Sequence, residues 1–347
     1  MSETDKPMKG NKVIVACLVI IVIFIVGVVI RLAKPVLFPF FLAIFLSFVL
    51  FPILDFLTRK KIPKAVSIMF IVILAFFIIY LLGTLFYSSG KAFASEIPDY
   101  GEKISSVLTA IQEKIKIVLP EWEPEDWVGQ LDVNKIGGLF LSSLGPFFSF
   151  MSNLFLIFIF LIFILAGRGN IKAKVKKSFS SERSSQIIDI IEKVDSQVQK
   201  YLAMKTAVSF TTGVFATIVL LIFRVDFAVV FGFFTFILNY IPNIGSIIAT
   251  ALPVAIAIVQ FETLWPAFWI FIILGSIQMT LGNFVEPRIM GQSLGLSTLV
   301  VLFFLFFWGW LWGIPGMILA VPTAAIIKIV CSNIPQLNFV GELMSKG

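Results

Sequence analysis

Two segments in the C-terminal half of the chain combine helix-breaking residues with polar side chains. The first, Asn239–Gly245, reads NYIPNIG, and the second, Asn283–Gly291, reads NFVEPRIMG. Both lie between long apolar runs. Polar groups and interruptions of a helix are costly in hydrocarbon, and they are tolerated mainly where they line a cavity or a solute path. The two segments therefore predict a path for a small polar solute or a cation.

The candidate path-lining side chains carry amide or charged groups. Glu286 is the best single candidate for binding a cation or a proton, or for contacting solute; a salt bridge that only sets a turn between two helices is the alternative. Glu286 and Arg288 are two residues apart and do not share a helix face. The candidate residues are Asn239, Asn243, Gln278, Asn283, Glu286 and Arg288.

Proline and glycine residues are predicted to break the helices around these side chains. Asn239 and Asn243 flank Pro242, so this segment is either a capping turn at the membrane surface or a hairpin tip whose amides face solute. Short hydrophobic segments interrupted by Gly or Pro are the best sequence indication of a transporter's solute site. The predicted break residues are Pro242, Gly245, Pro287, Gly291, Pro315 and Gly316.

The residue types argue against enzymatic chemistry. The chain has no histidine, which removes the commonest general base and metal ligand. The pattern G-x-S-x-G at residues 291–295 lacks the histidine and the strand that a nucleophile elbow needs, and the chain has no P-loop. We therefore expect no enzyme activity, no metal and no cofactor. No basic stretch is interleaved with aromatic residues, so we expect no nucleic-acid partner.

The composition predicts an integral membrane protein. The 347 residues are 59% hydrophobic and 14% charged, whereas about 25% of the residues of a soluble domain are charged. An apolar run of about 20 residues spans a bilayer as a helix. Such runs, all without Asp, Glu, Lys or Arg, are Val13–Ile30, Pro35–Leu54, Ala65–Tyr87 and Leu139–Ala166. We interpret the first as a retained helix and not as a cleaved signal peptide.

The charged loops predict the orientation. Residues 55–64 and 167–205 are rich in Lys and Arg, whereas residues 88–138 are rich in acids. Because basic loops stay in the cytoplasm, the N-terminus is expected there too. Apolar stripes at helical spacing predict an amphipathic helix in 88–138 and another in 167–205. The second is expected at the membrane interface, with Lys172–Lys177 contacting anionic lipid; a regulatory or protein-partner site is the alternative.

After Phe223 the apolar segments are short, and they are either full spans or re-entrant hairpins. We predict an all-α, polytopic membrane protein with about eight transmembrane helices and broken or re-entrant segments in its C-terminal half. The predicted parts are residues 1–87 with membrane helices 1–3, 88–138 as an extracytoplasmic helical segment, 139–166 as membrane helix 4, 167–205 as a cytoplasmic amphipathic helical segment, 206–335 as the C-terminal membrane region with the transport site, and 336–347 as a tail.

Three stretches carry a family resemblance. They are Ala228–Gln260, with IPNIG followed by ALP, Asn283–Ser297, with EP and MGQSLGLS, and Gly309–Pro322, with GIPGM and AVP. On these residues the chain resembles the autoinducer-2 exporter family of bacterial permeases. The resemblance implies a multi-pass permease of the bacterial inner membrane and a homo-oligomer, with a pentamer as the candidate state. Members are associated with autoinducer-2 export, and others with sodium or lithium/proton antiport.

The leading hypothesis is a secondary transporter that exports a small polar solute such as autoinducer-2 by alternating access. One alternative is a sodium or lithium/proton antiporter that depends on Glu286. The shortage of acids in the membrane segments argues against it, because such exchangers commonly use buried carboxylates. The other alternative is a membrane scaffold or regulator that acts through residues 167–205 and transports nothing.

Overall fold

The computed structural model of the protein describes residues 9–85, 87–89, 91, 133–261, 263–290 and 294–346. Most of the predicted extracytoplasmic segment and Gly291 lie outside these residues, so the predictions for them stay predictions. The described chain is helical. Within it no strand occurs, and an isolated antiparallel bridge joins Leu296 to Ser345.

Long helices dominate the N-terminal half and shorter ones the C-terminal half. A π-helical turn, Thr280–Val285, joins α8 to α9 in one continuous helix, Leu264–Ile289. The helices of the described residues are α1 (Lys9–Leu32), α2 (Lys34–Arg59), α3 (Lys64–Ser89), α4 (Val133–Ser178), α5 (Ser181–Ile222), α6 (Ala228–Leu238), α7 (Ile244–Gln260), α8 (Leu264–Met279), α9 (Glu286–Met290), α10 (Thr298–Trp312), α11 (Ile314–Ser332) and α12 (Asn338–Leu343).

Five of these helical stretches are long and apolar enough to cross a membrane: α2, α3, α5, Leu264–Ile289 and α11. Helix α4 adds a sixth if it counts as one span, because it bends by 62° between Arg168 and Asn170. Four shorter apolar helices, at Cys17–Leu32, α6, α7 and α10, remain. The prediction of an all-α polytopic membrane protein is confirmed. The predicted number of eight spans is not confirmed. The four shorter apolar helices are of intermediate length, and their length does not show how many of them cross the membrane.

Helices α6 and α7 form an antiparallel hairpin that starts and ends near the end of α5. The Gln260 side chain accepts a hydrogen bond from the Asp226 amide at 2.9 Å and donates one to the Arg224 carbonyl at 2.8 Å, which ties the two ends together. The 11 residues of α6 rise about 16 Å, roughly half of a 30 Å hydrocarbon core. This geometry favours a re-entrant hairpin over two full spans.

A second hairpin, which we call the basic hairpin (Asn170–Asp195), extends the ends of α4 and α5. Lys172 forms an ion pair with Glu192 across it. At its base Arg168 binds Asp55 at 3.4 Å and Asp195 at 3.8 Å. We call the end of the molecule that carries this hairpin and the loop 55–64 the basic side.

Helix α5 runs without interruption from the basic hairpin into the apolar segment. Its 42 residues rise about 63 Å, about twice the thickness of the hydrocarbon core. Part of α5 therefore projects beyond the membrane as a continuation of the membrane helix. A separate helix lying flat at the interface would need a break near Lys205, and the helix has none there. The apolar stripe predicted for residues 167–205 becomes buried towards the membrane, at Val198 and Tyr201.

An aromatic cluster holds α2 against the α10–α11 pair. The ring of Phe38 meets that of Trp312 edge-on at 5.9 Å, and the ring of Phe41 lies 5.7 Å from that of Trp308. Both tryptophans are buried, so they are part of the core. Helix α10 ends at Gly313, whose φ of +75° suits glycine. Of the predicted break residues, Pro315 lies in the first turn of α11, where a proline is tolerated, and Gly316 is buried just after it.

Candidate solute path

The tip of the α6–α7 hairpin (Asn239–Asn243) is attached to the middle of α5 by polar contacts. Asn239 is buried, and its Nδ2 donates a hydrogen bond to Ser209 Oγ at 3.1 Å. One turn away, the hydroxyl groups of Tyr240 and Thr206 lie 2.7 Å apart. Buried polar groups are costly unless they are paired. These two pairs therefore position the tip on α5.

The remaining residues of the tip shape the turn. Pro242 is half-buried in the turn, and Asn243 is exposed with a φ of +60°. Gly245 is buried in the first turn of α7, where its Cα lies against the Leu238 carbonyl group so closely that a Cβ atom would overlap it. The sequence NYIPNIG thus folds into a turn in which a glycine is required by close packing and not by a positive φ.

A buried ion pair lies beside this tip on the basic side. Lys205 Nζ donates to Glu286 Oε1 at 2.6 Å, and the two side chains are 6% and 19% exposed. Tyr201, one turn before Lys205 on α5, is also buried. The ion pair joins α5 to the end of the continuous helix Leu264–Ile289.

The π-helical turn determines which way Glu286 points. Its wider turn inserts one extra residue into the helix, which rotates the following residues by about 100° relative to a regular α-helix. The Glu286 amide donates back to the Leu281 carbonyl across this turn. The loosened hydrogen-bond ladder also accommodates Pro287, which lies inside the helical stretch Leu264–Ile289 without ending it. A π turn is frequently found at functional sites.

A polar crevice lies further along the same helices, away from the basic side. It lies where α5, α6, α7 and α8 meet, and in this conformation it is closed, with no room for a water molecule. Seven residues separate Lys205 from the crevice along α5, which corresponds to about 10 Å. Its polar groups are three hydroxyls and one carboxamide, and none is charged: Thr212, Thr235, Thr250 and Gln278.

The structure brings together only part of the predicted candidate set. Gln278 lines the crevice, Glu286 forms the ion pair and Asn239 anchors the tip. Asn243, Asn283 and Arg288 are exposed, and none of them lines the crevice. Arg288 is not the partner of Glu286. Among the described residues, no group of three or more His, Cys, Asp or Glu side chains is arranged to hold a metal ion.

Sequence reasoning missed Lys205 and the three threonines. In the sequence, Lys205 is the last residue of the basic stretch 167–205, whose charge predicts the orientation. The signal that could have identified it is its place in the buried stripe of α5, because it follows Val198 and Tyr201 at helical spacing. The three threonines lie in apolar runs of the sequence, and a threonine is unremarkable there because its hydroxyl can bond the backbone of its own helix. Thr212, for example, donates to the Val208 carbonyl at 2.8 Å.

Comparison with known proteins places the chain in a family. The profile of the AI-2E family transporter matches residues 18–336. The AI-2 transport protein TqsA of Escherichia coli K12 is 32% identical over 345 residues, which cover 99% of this chain and 98% of that protein. A protein of Haemophilus influenzae named as a transport protein is 33% identical over 324 residues, covering 91% of each chain. One of Borreliella burgdorferi, named likewise, is 32% identical over 93% of this chain and 87% of its own length.

The residues matched by the family profile include those of the crevice and of the ion pair. The match extends over most of the described helices, including the α6–α7 hairpin and the continuous helix that ends in Glu286. The chain therefore belongs to the AI-2E transporter family, and it is a multi-pass membrane transporter.

Proposed function

We propose that the protein is a secondary transporter that exports a small, uncharged polar solute such as autoinducer-2. The observation that carries this proposal is the crevice, because four helices meet there and place four neutral polar groups among apolar side chains, so that it would become a neutral site when the helices part. Solute sites are commonly apolar clefts with a few convergent polar groups. Autoinducer-2 is the first solute to test, because the relative from Escherichia coli is named for its transport.

In the proposed mechanism, the ion pair and the hairpin tip close the path on the basic side. The ion pair connects α5 to the helix that carries Gln278, about 10 Å from the crevice. Separating Lys205 from Glu286 would let these helices part and open the crevice to that side. In alternating access, the Lys205–Glu286 contact is closed while the opposite end of the path is open, and it separates when the opposite end closes. The charge distribution supports a cytoplasmic assignment of the basic side, in the bacterial inner membrane.

The antiporter alternative is less well supported by the site. Glu286 is the single carboxylate among the described residues of the α6–α7 hairpin and the continuous helix after it, and its charge is already matched by Lys205 at 2.6 Å. A transported cation would have to displace a buried lysine. The scaffold alternative has no comparable feature, because the basic hairpin is tied to its own base by ion pairs.

The test is autoinducer-2 flux in proteoliposomes that contain the purified protein, with and without imposed proton and sodium gradients. Saturable flux above that of empty liposomes supports the proposal, and its response to each gradient identifies the coupling ion. Sodium or lithium exchange for protons without autoinducer-2 flux would move the assignment to the antiporter. Native mass spectrometry of the same preparation tests the expected homo-oligomer, including the pentamer.

The crevice hydroxyls are expected to contribute to solute affinity. Thr250→Val and Thr235→Val keep the shape of the side chain but remove a hydrogen-bonding group. Each is expected to raise the half-saturating autoinducer-2 concentration about fivefold, because one hydrogen bond contributes about 1 kcal/mol. Thr211→Val is the matched control, because Thr211 is exposed on α5, does not line the crevice and donates its hydroxyl to the Ala207 carbonyl of its own helix at 2.9 Å. Equal affinities in all three variants would remove the crevice as the solute site.

A further inference from the structure

An open cavity of about 330 Å³ lies at the basic side, apart from the crevice. The first half of α5, the segment before α10 and the last turns of α11 line it. It is lined by polar side chains from two of these helices: Lys193, Gln197, Lys328, Ser332 and Asn333. Neither the ion pair nor the hairpin tip contributes to it, so the transport proposal leaves this cavity without a role.

The lining of this cavity carries positive charge without compensation. Among the described residues, Lys193 and Lys328 are the charged groups of its lining, and no carboxylate lines it. In the part of the chain that the structure describes, neither ammonium group has a carboxylate oxygen within 4.0 Å. Elsewhere on the basic side, by contrast, Arg168 and Lys172 are paired with acids. The cavity is therefore a place where an anion would be stabilised.

The two ammonium groups are held by neutral oxygen atoms and keep donors free. Lys193 Nζ donates to Asn333 Oδ1 at 2.7 Å, and Lys328 Nζ donates to the carbonyl groups of Leu294 at 2.9 Å and Gly295 at 2.6 Å. An ammonium group has three donors. Lys193 therefore retains two donors and Lys328 retains one, while the neutral acceptors orient both groups without cancelling their charge.

The backbone around Lys328 is fixed by the C-terminal segment. The Gly295 carbonyl also accepts a hydrogen bond from the Lys346 amide at 2.8 Å, and the Ser297 amide donates to the Met344 carbonyl at 3.0 Å. Gly295 has a φ of +54°, and a Cβ atom there would lie 2.8 Å from Lys328 Nζ. The glycine thus permits the close approach of the lysine. A donor positioned before the ligand arrives costs less ordering entropy on binding.

We propose that this cavity is a binding site for an oxyanion of the phosphate class, held by Lys193 and Lys328 with the Ser332 hydroxyl and Gln197 amide as further donors. Phosphate presents several acceptor oxygens, which suits a group of convergent donors, and charge-assisted hydrogen bonds to it are strong. The phosphate is supplied either by a free anion in solution or by the headgroup of an anionic lipid. The ligand is not the transported solute, so this inference stands or falls independently of the proposed function.

The experiment uses the full-length protein in nanodiscs at constant ionic strength. In the first arm, inorganic phosphate is titrated into protein in nanodiscs of phosphatidylcholine alone, and binding is measured by isothermal titration calorimetry. In the second arm, thermal unfolding is compared between nanodiscs of phosphatidylcholine and nanodiscs that also contain phosphatidylglycerol, without added phosphate. Lys193→Gln and Lys328→Gln are tested beside Lys200→Gln, which removes an exposed lysine of α5 outside both the cavity and the Lys172–Lys177 cluster.

We expect Lys193→Gln and Lys328→Gln each to weaken phosphate binding about tenfold in the first arm, or to lose most of the rise in unfolding temperature that phosphatidylglycerol causes in the second, because each removes one charge-assisted hydrogen bond. Lys200→Gln is expected to behave as the unmodified protein. An effect in the first arm identifies a free anion, and an effect in the second identifies a lipid headgroup. If neither anion binds, or if all three variants respond alike, the proposal is wrong. Lys193→Gln alone decides the outcome if Lys328→Gln does not fold, since the glutamine can still bond Asn333.

Discussion

Lys205→Met and Glu286→Gln, made singly, are each expected to destabilise the protein strongly and to abolish most autoinducer-2 flux. Each change leaves the other charge in a site where the side chains are 6% and 19% exposed. Breaking a buried ion pair by removing one partner costs about 3–5 kcal/mol, because the remaining charge is uncompensated. Thermal unfolding in nanodiscs and flux in proteoliposomes measure the two effects.

The double variant Lys205→Met/Glu286→Gln separates structure from mechanism. It removes both charges, and an uncharged pair of similar volume is often as stable as a buried ion pair. We therefore expect its unfolding temperature to return towards that of the unmodified protein. Its autoinducer-2 flux is expected to stay about tenfold lower than that of the unmodified protein. Without the ion pair, the state closed on the basic side loses about 1.4 kcal/mol of stabilisation, which shifts the equilibrium between the two access states tenfold.

Matched exposed residues provide the control for this series. Lys172 and Glu192 form an ion pair in the basic hairpin, with side chains 49% and 55% exposed. The corresponding changes Lys172→Met and Glu192→Gln are expected to leave stability and flux almost unchanged, because exposed ion pairs contribute little. Full flux in the stable double variant would show that the Lys205–Glu286 pair is only structural and that the path does not close there.

Gly245→Ala is expected to destabilise the hairpin tip by about 1–3 kcal/mol, the usual cost of inserting a methyl group into a packed core. The added Cβ would overlap the Leu238 carbonyl group, which is backbone and cannot rotate away. The turn would have to open, and the Gly245 amide would lose its 3.2 Å hydrogen bond to the Ile241 carbonyl. Because the tip carries the contacts of Asn239 and Tyr240 to α5, flux is expected to fall together with stability.

Gly275→Ala is the matched control for that substitution. Gly275 lies inside α8, and apart from its neighbours in the chain and the backbone of its own helix, a Cβ atom there would meet no heavy atom within 4 Å among the described residues. Alanine favours an α-helix over glycine by about 0.5–1 kcal/mol, so this variant is expected to be as stable as the unmodified protein or slightly more stable. Chemical unfolding of both variants in the same detergent makes the comparison. A stable and fully active Gly245→Ala variant would contradict the tight packing at the tip.

The sequence predicted the class of fold because that prediction needs only local information. A run of about 20 apolar residues must pair its backbone groups internally in a bilayer, and a helix does so. The number of spans did not follow, since α6 and α7 are too short and α4 bends by 62°. Length alone does not tell a short span from a re-entrant helix.

The sequence predicted the candidate site less completely than it predicted the fold. It placed polar groups at the tip and at Glu286, but it left open whether Glu286 is a free coupling group or is part of a salt bridge. The partner, Lys205, is 81 residues away in the chain. The spacing between Glu286 and Arg288 showed only that these two do not share a helix face, and the structure places Arg288 on the surface.

By itself, then, the sequence determined that this is a helical membrane protein whose C-terminal half carries costly polar groups. It could do so because amino-acid composition and the length of the apolar runs directly set the free energy of transferring a segment into the bilayer. Only the tertiary structure decided that Glu286 meets Lys205, that three threonines and Gln278 share one crevice, and that Lys193 and Lys328 share another cavity. These contacts join residues on different helices. Their side chains meet because of how the helices pack, and helix packing depends on shape complementarity over many residues.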